Sequence, residues 1–258
     1  MILTNSADID AWLTALDARH RASLSTREYL KAVRALSARY VERRHTLTTT
    51  SAIDSAGKRA AFATYYAPLH FLTTRLIVQS LGTAATGIDR IVDLGCGTGA
   101  AGVAWALECG TPTRVDGIDV SSWAIDEASS NYRHWHIAGR ARRGDLVRAT
   151  TALANDRRAL ARTAILLAWA VNELEAPARD TLLRALSRLK HAGARILVIE
   201  PIARTISPWW SDWCTELHGA ISVSGEWKFE TTLPPALAAV DEAAGFGRTH
   251  LSARSLFV

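Results

Sequence analysis

The stretch RIVDLGCGTGAAG, residues 90–102, decides how the rest of the chain is interpreted. A short apolar run that suits a buried strand leads directly into a loop with glycines at positions 95, 97, 99 and 102. Glycine lets the backbone turn tightly and approach a ligand closely, and a helix after such a loop offers free N–H groups. The stretch therefore predicts a strand, a nucleotide-binding loop and a helix.

Two ligand classes compete for this loop. Read from Gly97, it matches the G-x-G-x-x-G pattern of dinucleotide sites, which implies hydride chemistry. Read from Asp93, it matches D-x-G-x-G-x-G. An acid two residues before the first glycine would repel a pyrophosphate but attract a ligand that carries an ammonium group. Asp93 therefore favours the second pattern, and Gly102 is interpreted as a close-packing glycine within the helix.

From residue 90 onward, apolar strands alternate with helices, which is typical of a parallel sheet covered on both faces. We predict strands at 90–94, 114–119, about 140–144, 163–171 and 195–200, and helices at about 100–109, 122–137, 148–160 and 177–191. A further helix and a last strand follow in LPPALAAVDEAAGFG and RTHLSARSLFV. The predicted fold class is α/β, a Rossmann-like, doubly wound and mostly parallel sheet. Its ligand is expected at the carboxyl ends of the strands, where the strand order reverses.

The segment before the sheet has helical spacing throughout. It includes a capping box at Ser25 and Glu28, and a helical pair that is interrupted at Pro68 and ended by Gly82. We expect residues 1–88 to form a helical N-terminal region on the lid or substrate side. Residues 89–258 are expected to form the Rossmann-like domain, with an irregular, tryptophan-rich insertion at 201–233.

Composition narrows the function classes. The chain of 258 residues, 48% hydrophobic and 21% charged, suits one soluble globular core with a helical appendage. The amino terminus lacks the pattern of a signal peptide, and the longest apolar run, 164–171, is far shorter than the roughly 20 residues that span a bilayer. We expect a cytoplasmic protein with no membrane partner. Three scattered cysteines, at 96, 109 and 214, predict neither disulfides nor a metal site.

Two further acids follow later strands. Asp119 stands at the end of the second predicted strand, where a carboxylate can accept hydrogen bonds from ribose hydroxyls. Asp145 lies in the segment RRGDL after the third strand, where a polar contact to an adenine amino group is expected. Both positions support nucleotide binding, although the ribose feature alone does not choose between the two ligand classes.

Together, VDLGCGTG, VDGIDVSS and GDL resemble class I S-adenosylmethionine (SAM) methyltransferases over residues 90–200. The resemblance implies that SAM is bound and that S-adenosylhomocysteine (SAH) is the product. It implies that Asp93, Gly95 and Gly97 border the methionine end, Asp119 the ribose and Asp145 the adenine. The expected cofactor-binding residues are Asp93, Gly95, Cys96, Gly97, Gly99, Asp119, Val120, Asp145, Leu146 and Trp169.

The fourth strand ends in LLAWAVNEL, which places Trp169, Asn172 and Glu173 near the methyl group. Enzymes that methylate the amino groups of bases carry Asn/Asp-Pro-Pro-aromatic at this point, and its absence disfavours that activity. Glu173 is a candidate general base, whereas Asn172 and Glu173 could equally cap the next helix. The segment TYYAPLHF could bring further side chains over the cofactor, although a lone histidine is more often a core residue. The expected catalytic residues are Glu173, Asn172, Tyr66 and His70.

Other polar and aromatic residues are candidates for binding the substrate. Glu200 could orient a substrate or form an internal pair with Arg204. Trp209 and Trp210 are candidate lid residues, while Trp213 is expected to pack against the sheet. The expected substrate residues are Tyr65, Glu200, Arg204, Trp209 and Trp210.

These observations favour a SAM-dependent class I methyltransferase that transfers a methyl group in line to a small or medium organic nucleophile. A looser resemblance, carried by SAGKRAAFATYYAPLHF, NELEAPARDTLLRALSRL and ILVIEP, is to the small-ribosomal-subunit methyltransferase-like assembly proteins. It implies an RNA- or ribosome-binding factor. The cysteine cluster of those proteins is missing here, and PIARTISPWW replaces their glycine-threonine-proline stretch.

The basic segment NYRHWHIAGRARRGDLVR, with interleaved aromatic residues, is compatible with an RNA partner or with a solvated helix face. Transfer or cyclisation of the aminobutyrate arm of SAM is a third possibility, and hydride transfer with NAD a fourth. The fold fixes the donor and leaves the acceptor to variable loops, so the acceptor atom stays open.

Overall fold

The structure, a computed structural model, describes residues 6–42 (backbone alone at 39–42), 53, 55–156, 160–203, 205, 207–219 and 222–258. Helices α1 to α10 span Ser6–His20, Thr26–Glu42, Ala56–Ala61, Ala67–Leu81, Ala100–Glu108, Ser122–His134, Leu146–Asn155, Ala176–His191, Trp210–Glu216 and Pro235–Ala244. Strands β1 to β7 span Arg90–Leu94, Arg114–Asp119, Gly139–Arg143, Thr163–Ala168, Arg195–Glu200, Val223–Glu230 and His250–Phe257. Within these ranges no helix combines the length and the apolar character needed to cross a membrane.

The seven strands form a single sheet in the order β3-β2-β1-β4-β5-β7-β6. Strands β1 to β5 pair in parallel, and β7 runs antiparallel between β5 and β6. This arrangement confirms the predicted Rossmann-like fold class. Because β1 has β2 on one side and β4 on the other, the strand order reverses there, and a crevice opens between the carboxyl ends of β1 and β4.

Burial explains why the central strands are apolar. All of β4 except its last residue is buried, and so is all of β5 except its first. Two clusters of buried hydrophobic residues cover the two faces of the sheet. The edge strand β3, with the sequence GRARR, is mostly exposed. Apolar side chains therefore fix the centre of the sheet, and charged ones mark its edge.

The first helix is tied to the glycine loop through a buried amide. The indole Nε1 of Trp12 donates to Oδ1 of Asn131 at 2.9 Å, and Nδ2 of Asn131 donates to the carbonyl oxygen of Thr98 at 2.9 Å. The Trp12 ring also packs against Phe71 and Trp135, with centroids 5.1 and 5.6 Å apart. Helices α1, α4 and α6 therefore meet directly behind the loop.

The helix was predicted to be interrupted at Pro68, but the irregular turn comes before this residue. The helix widens into a π-helical turn at Phe62–Tyr66 and resumes as α4, with Pro68 inside its first turn. Proline has no N–H, so the carbonyl of Thr64 cannot receive its usual helical bond. The N–H of Ala67 donates five residues back, to Phe62. The proline thus distorts the turn before it and leaves the helix after it intact.

The prediction that 201–233 is irregular is wrong. The segment contains α9 and β6, and β6 pairs with β7 along its whole length, from Val223↔Phe257 to Glu230↔His250. Its inward positions hold Gly225, Trp227 and Phe229, and these alternate with exposed polar residues. This two-residue period is the signal of a half-buried strand, and the tryptophan content obscured it.

Candidate functional site

A cavity of about 420 Å³ opens at the carboxyl ends of β1, β2, β4 and β5. Its volume lies in the range of roughly 300–1,000 Å³ that small-molecule sites occupy. The predicted residues that line it are Tyr66, His70, Asp93, Gly95, Cys96, Gly97, Asp119, Val120, Asp145, Leu146, Trp169, Asn172, Glu173 and Glu200. Four others, Gly99, Tyr65, Trp209 and Trp210, lie outside its wall. Arg204 lies outside the described residues.

The loop after β1 is held against the end of β2. The N–H groups of Gly95 and Cys96 donate to the carbonyl oxygen of Ile118 at 2.8 and 3.0 Å. Gly95 has a φ of 70°, and a Cβ at this position would lie 2.7 Å from the Cβ of Ala170. Glycine is therefore required here both for the turn and for the close approach of the segment that follows β4.

Asp119, the last residue of β2, orients the loop. Its Oδ2 accepts a hydrogen bond from the N–H of Gly97 at 2.9 Å, and its Oδ1 accepts one from the N–H of Ser121 at 2.8 Å. Burial raises the pKa of the carboxyl group despite these bonds. Each carboxylate oxygen can accept a second hydrogen bond, so Asp119 presents fixed acceptor sites to the cavity.

Asp93 is a buried acid at the base of the cavity. It is 1% exposed, and its carboxylate faces the backbone N–H of Gly102 in the first turn of α5, which partly offsets the cost of burial. Burial, and secondarily the neighbouring charge of Asp119, raises the pKa of Asp93 to about 7. A Cβ on Gly102 would lie 2.6 Å from Oδ2 of Asp93, which confirms the close packing expected of that glycine. A buried carboxylate at the cavity wall fits a cationic ligand.

Gly99 begins α5 beside the cavity but does not line it. It is the N-cap of α5 with a φ of 73°, and a Cβ there would lie 2.7 Å from Cε1 of Tyr132. Packing against α6 thus keeps it off the cavity wall. The following residues, Ala100 and Ala101, line the cavity instead. The N–H groups of the first helical turn lack intrahelical partners and suit an anionic group such as a carboxylate.

The far end of the cavity is formed around β2 and β3. Asp145 caps α7, because its Oδ1 accepts the N–H of Arg148 at 2.8 Å, and it also lines the cavity. Val120, which directly follows β2, also lines the cavity and is 40% exposed. With Leu146 it supplies apolar surface beside two acids, which suits a heteroaromatic ring with an amino group.

At the end of β4, Trp169 has an unusual backbone conformation. Its φ is 57°, in the left-handed region that costs a non-glycine residue of order 1–3 kcal/mol. The conformation ends the strand three residues before the predicted boundary. The indole lies flat on the His70 ring, with centroids 3.8 Å apart and planes at 9°. Burial lowers the pKa of His70 to about 3, so the imidazole is neutral and is a poor proton acceptor.

Glu200 fixes the turn after β4. Its Oε1 accepts the N–H groups of Val171 and Asn172 at 2.8 and 3.2 Å, and its Oε2 accepts Nδ2 of Asn172. Asn172 therefore does not cap α8, whose N-cap is Glu175 and has no side-chain capping bond. Oδ1 of Asn172 is buried and has no partner within the part of the chain described. The turn thus presents an acceptor oxygen beside Glu173.

The aromatic candidates divide between the cavity and the core. Tyr66 lines the cavity, but its hydroxyl donates to the carbonyl of Val33 at 2.8 Å. Tyr65 points elsewhere, and its hydroxyl donates to Asp241. Trp209 and Trp210 pack with Trp213 in the second hydrophobic cluster, with the Trp209 and Trp213 centroids 4.7 Å apart. The structure therefore does not bring the predicted tryptophan lid to the cavity, because burial on the sheet favours packing.

Several cavity residues were not predicted from the sequence, and three of them, Ser37, Phe62 and Arg248, bring polar, aromatic or charged side chains to the wall. Phe62 lies four and eight residues before Tyr66 and His70, a spacing that brings all three to one helix face and could have identified it. Ser37 comes from α2, and Arg248 precedes β7. No local pattern marks these two, since only the folded chain brings them to the cavity.

Residues 91–193 match a protein family described as a methyltransferase domain. Among solved structures, the chain is similar to precorrin 8W decarboxylase from Methanobacterium thermoautotrophicum, with 19% identity over 71% of this chain and 87% of that chain and a TM-score of 0.45. It is similar to a SAM dependent methyltransferase from Archaeoglobus fulgidus (12% identity, 72% and 93% covered, TM-score 0.45). It is also similar to precorrin-6y C5,15-methyltransferase from Geobacter metallireducens (8% identity, 71% and 85% covered, TM-score 0.46). No curated protein matches the chain significantly in sequence.

The substitution Glu200→Gln tests the role of the buried carboxylate. Glutamine has only one acceptor oxygen and turns an NH₂ group toward the donors of Val171 and Asn172. We expect the free energy of unfolding to fall by about 2–3 kcal/mol, or about 5–10 °C in Tm. The control Glu230→Gln alters an exposed residue of β6 and should change stability by less than about 0.5 kcal/mol. Equal stability of the two variants in thermal unfolding would contradict this role.

Proposed function

We propose that this chain, whose residues 91–193 match a methyltransferase domain, is a class I SAM-dependent enzyme that methylates a small or medium organic nucleophile. The observation that carries the proposal is the cavity itself. Its cofactor side comes from the strand ends, and its opposite side from residues of the helices before the sheet, Phe62, Tyr66 and His70. A pocket of this volume, with several aromatic rings in its wall, suits a small acceptor.

The residues present fit the cofactor. The buried carboxylate of Asp93 suits the positively charged methionine end, and the first turn of α5 suits its carboxylate. Asp119 would accept the ribose hydroxyls with the lone pairs that Gly97 and Ser121 leave open. The adenine would lie by Val120 and Leu146, with its amino group toward Asp145. When bound, SAM supplies a sulfonium methyl group that is already activated for in-line displacement.

The turn after β4 would position the acceptor. Oδ1 of Asn172 would accept a hydrogen bond from the nucleophile's N–H or O–H, and Glu200 holds the Asn172 amide in the required orientation. Glu173 is the proposed proton acceptor, since it lines the cavity on the same turn. His70, whose burial lowers its pKa to about 3, serves with Trp169 as a flat wall rather than as a base. The hydroxyl of Tyr66, bonded to Val33, leaves the ring as its contact surface.

Binding to RNA is the second candidate function. The edge strand β3 exposes Arg140, Arg142 and Arg143, and such a basic edge attracts phosphates. Part of this charge is neutralised locally, since Arg90, Arg114 and Arg140 all approach the carboxylate of Asp116. We therefore favour the small-molecule acceptor and expect any RNA affinity to weaken steeply with salt.

Methyl transfer can be tested directly with isotopically labelled SAM. Incubation with a low-molecular-weight metabolite extract and, separately, with total RNA should transfer label to a small molecule only, as read by mass spectrometry. With the acceptor found, Glu173→Gln should lower kcat about 10²–10⁴-fold, because the proton acceptor is lost. The control Glu175→Gln removes an acid two residues away that makes no side-chain capping bond, and kcat should not change. Label in RNA alone would contradict the proposal.

The pKa of Asp93 predicts how SAM binding depends on pH. The carboxyl group is protonated below its raised pKa of about 7, and a cationic cofactor needs it ionised. The ionised fraction grows about fivefold between pH 6 and pH 7, and SAM affinity should grow equally. Asp93→Asn should bind SAM more weakly at pH 7 and lose this dependence, as measured by calorimetric titration. An unchanged pH profile in the variant would show that another group controls binding.

The raised pKa of Asp93 also affects the stability of the protein without cofactor. A pKa that is higher in the folded than in the unfolded chain stabilises the folded state at low pH. The contribution of Asp93 should therefore decline as pH rises from about 4 to about 7, and bound SAM should offset the loss.

A further inference from the structure

Arg248 brings a positive charge to the wall of the cavity. It lies two residues before β7, and it is the only arginine or lysine among the described residues of the cavity wall. The same wall contains five acids, Asp93, Asp119, Asp145, Glu173 and Glu200. His70 adds no charge, because burial keeps it neutral. A single arginine therefore lies in a wall that is otherwise rich in acids.

The guanidinium is held in place from one side. Buried Asp241 accepts the backbone N–H of Arg248 at 2.7 Å through Oδ2 and the hydroxyl of Tyr65 through Oδ1. Nη1 of Arg248 donates to the Tyr65 hydroxyl at 3.1 Å and to Oδ1 of Asp241 at 3.3 Å. The group also lies over the Phe246 ring, 4.7 Å from its centroid. These contacts leave the guanidinium little freedom to turn.

The pairing leaves most of the donors of Arg248 unused. Only Nη1 has a side-chain partner within the described residues, while Nε and Nη2 have none, and the side chain is 28% exposed. An arginine whose purpose is to neutralise a buried acid normally pairs through two parallel N–H bonds. The 3.3 Å contact with Asp241 is a single, long one. Arg248 is thus fixed by its neighbours, while its Nε and Nη2 can still donate two parallel hydrogen bonds to a ligand.

We propose that Arg248 binds a carboxylate on the methyl acceptor, so that the substrate is a flat organic acid. The inference rests on the proposed methyltransferase function and deepens it by assigning a substrate class. An acid would otherwise be repelled by the carboxylates of the wall, and the guanidinium edge offers the bidentate geometry that carboxylates prefer.

Charge and shape both favour a carboxylate over a phosphate. A phosphate monoester carries about −1.5 to −2 charges, which one guanidinium in an acid-rich cavity does not balance, whereas a carboxylate carries one. A planar acceptor also suits the aromatic lining, in which His70 stacks on Trp169 with centroids 3.8 Å apart and Phe62 lies roughly perpendicular to His70 at 6.1 Å. Aromatic surfaces of this kind bind planar groups well.

The test uses SAH-saturated protein and calorimetric titration with matched probes. The probes are benzoate, 4-hydroxybenzoate and indole-3-carboxylate, the primary amide of each, and phenyl phosphate. On the wild type, at least one acid should bind tenfold or more tightly than its amide. Arg248→Gln should abolish this preference, Arg248→Lys should restore part of it, and Arg184→Gln, an exposed arginine of α8, should leave it intact.

Each other outcome overturns the proposal. Amides that bind the wild type as tightly as the acids, or a complete absence of acid binding, would remove the carboxylate site, and this comparison needs no variant. Phenyl phosphate binding more tightly than benzoate would assign the site to phosphates. If Arg248→Gln weakens SAH binding and leaves the acids unaffected, the cation belongs to the cofactor's carboxylate. Failure of the wild type to bind SAH would instead reject the proposed function itself.

Discussion

The two hydrogen bonds that Asp119 accepts from Gly97 and Ser121 hold the site together. They join the loop after β1 to the start of α6, and they do so at the place where β1 and β2 end side by side, Leu94 against Ile118. Without this carboxylate, the N–H of Gly97 and that of Ser121 would each need another partner. One acid therefore joins the glycine loop to the beginning of α6, beside the bonds that Gly95 and Cys96 donate to Ile118.

The cavity wall carries charges of both signs. Asp93 and Asp119 lie on the side built from strand ends, where burial raises both pKa values, so a cation placed there relieves an unfavourable concentration of negative charge. Arg248, anchored by Asp241 and Tyr65, adds a positive charge to the same wall. A cationic donor and an anionic acceptor can then occupy one pocket, each attracted to the residues of opposite charge and to the other ligand.

The strand-end side of the cavity was predictable from the sequence because its determinants are local. Asp93, the glycines and Asp119 stand at fixed distances from apolar strands, and parallel strands bring their carboxyl ends together. The rest of the cavity wall depends on contacts between distant parts of the chain. Arg248 meets Tyr65 across 183 positions, and no spacing rule connects them.

Composition does not predict whether an aromatic residue covers a cavity or packs in the core. Trp209 and Trp210 suit a lid as well as they suit a core, and only the position of α9 on the sheet separates the two uses. His70 lines the cavity as predicted, yet burial removes the basicity that made it a catalytic candidate.

The most direct test of the account is calorimetric binding of SAH to Asp119→Asn and to the control Asp116→Asn. Both residues lie on β2, but Asp116 pairs with surface arginines away from the cavity. Loss of a charged acceptor for ribose hydroxyls should weaken SAH binding of the Asp119 variant by about 10–150-fold, while the control binds like the wild type. Equal SAH affinity in all three proteins, each shown to be folded by circular dichroism, would contradict the central claim that Asp119 organises a SAM site.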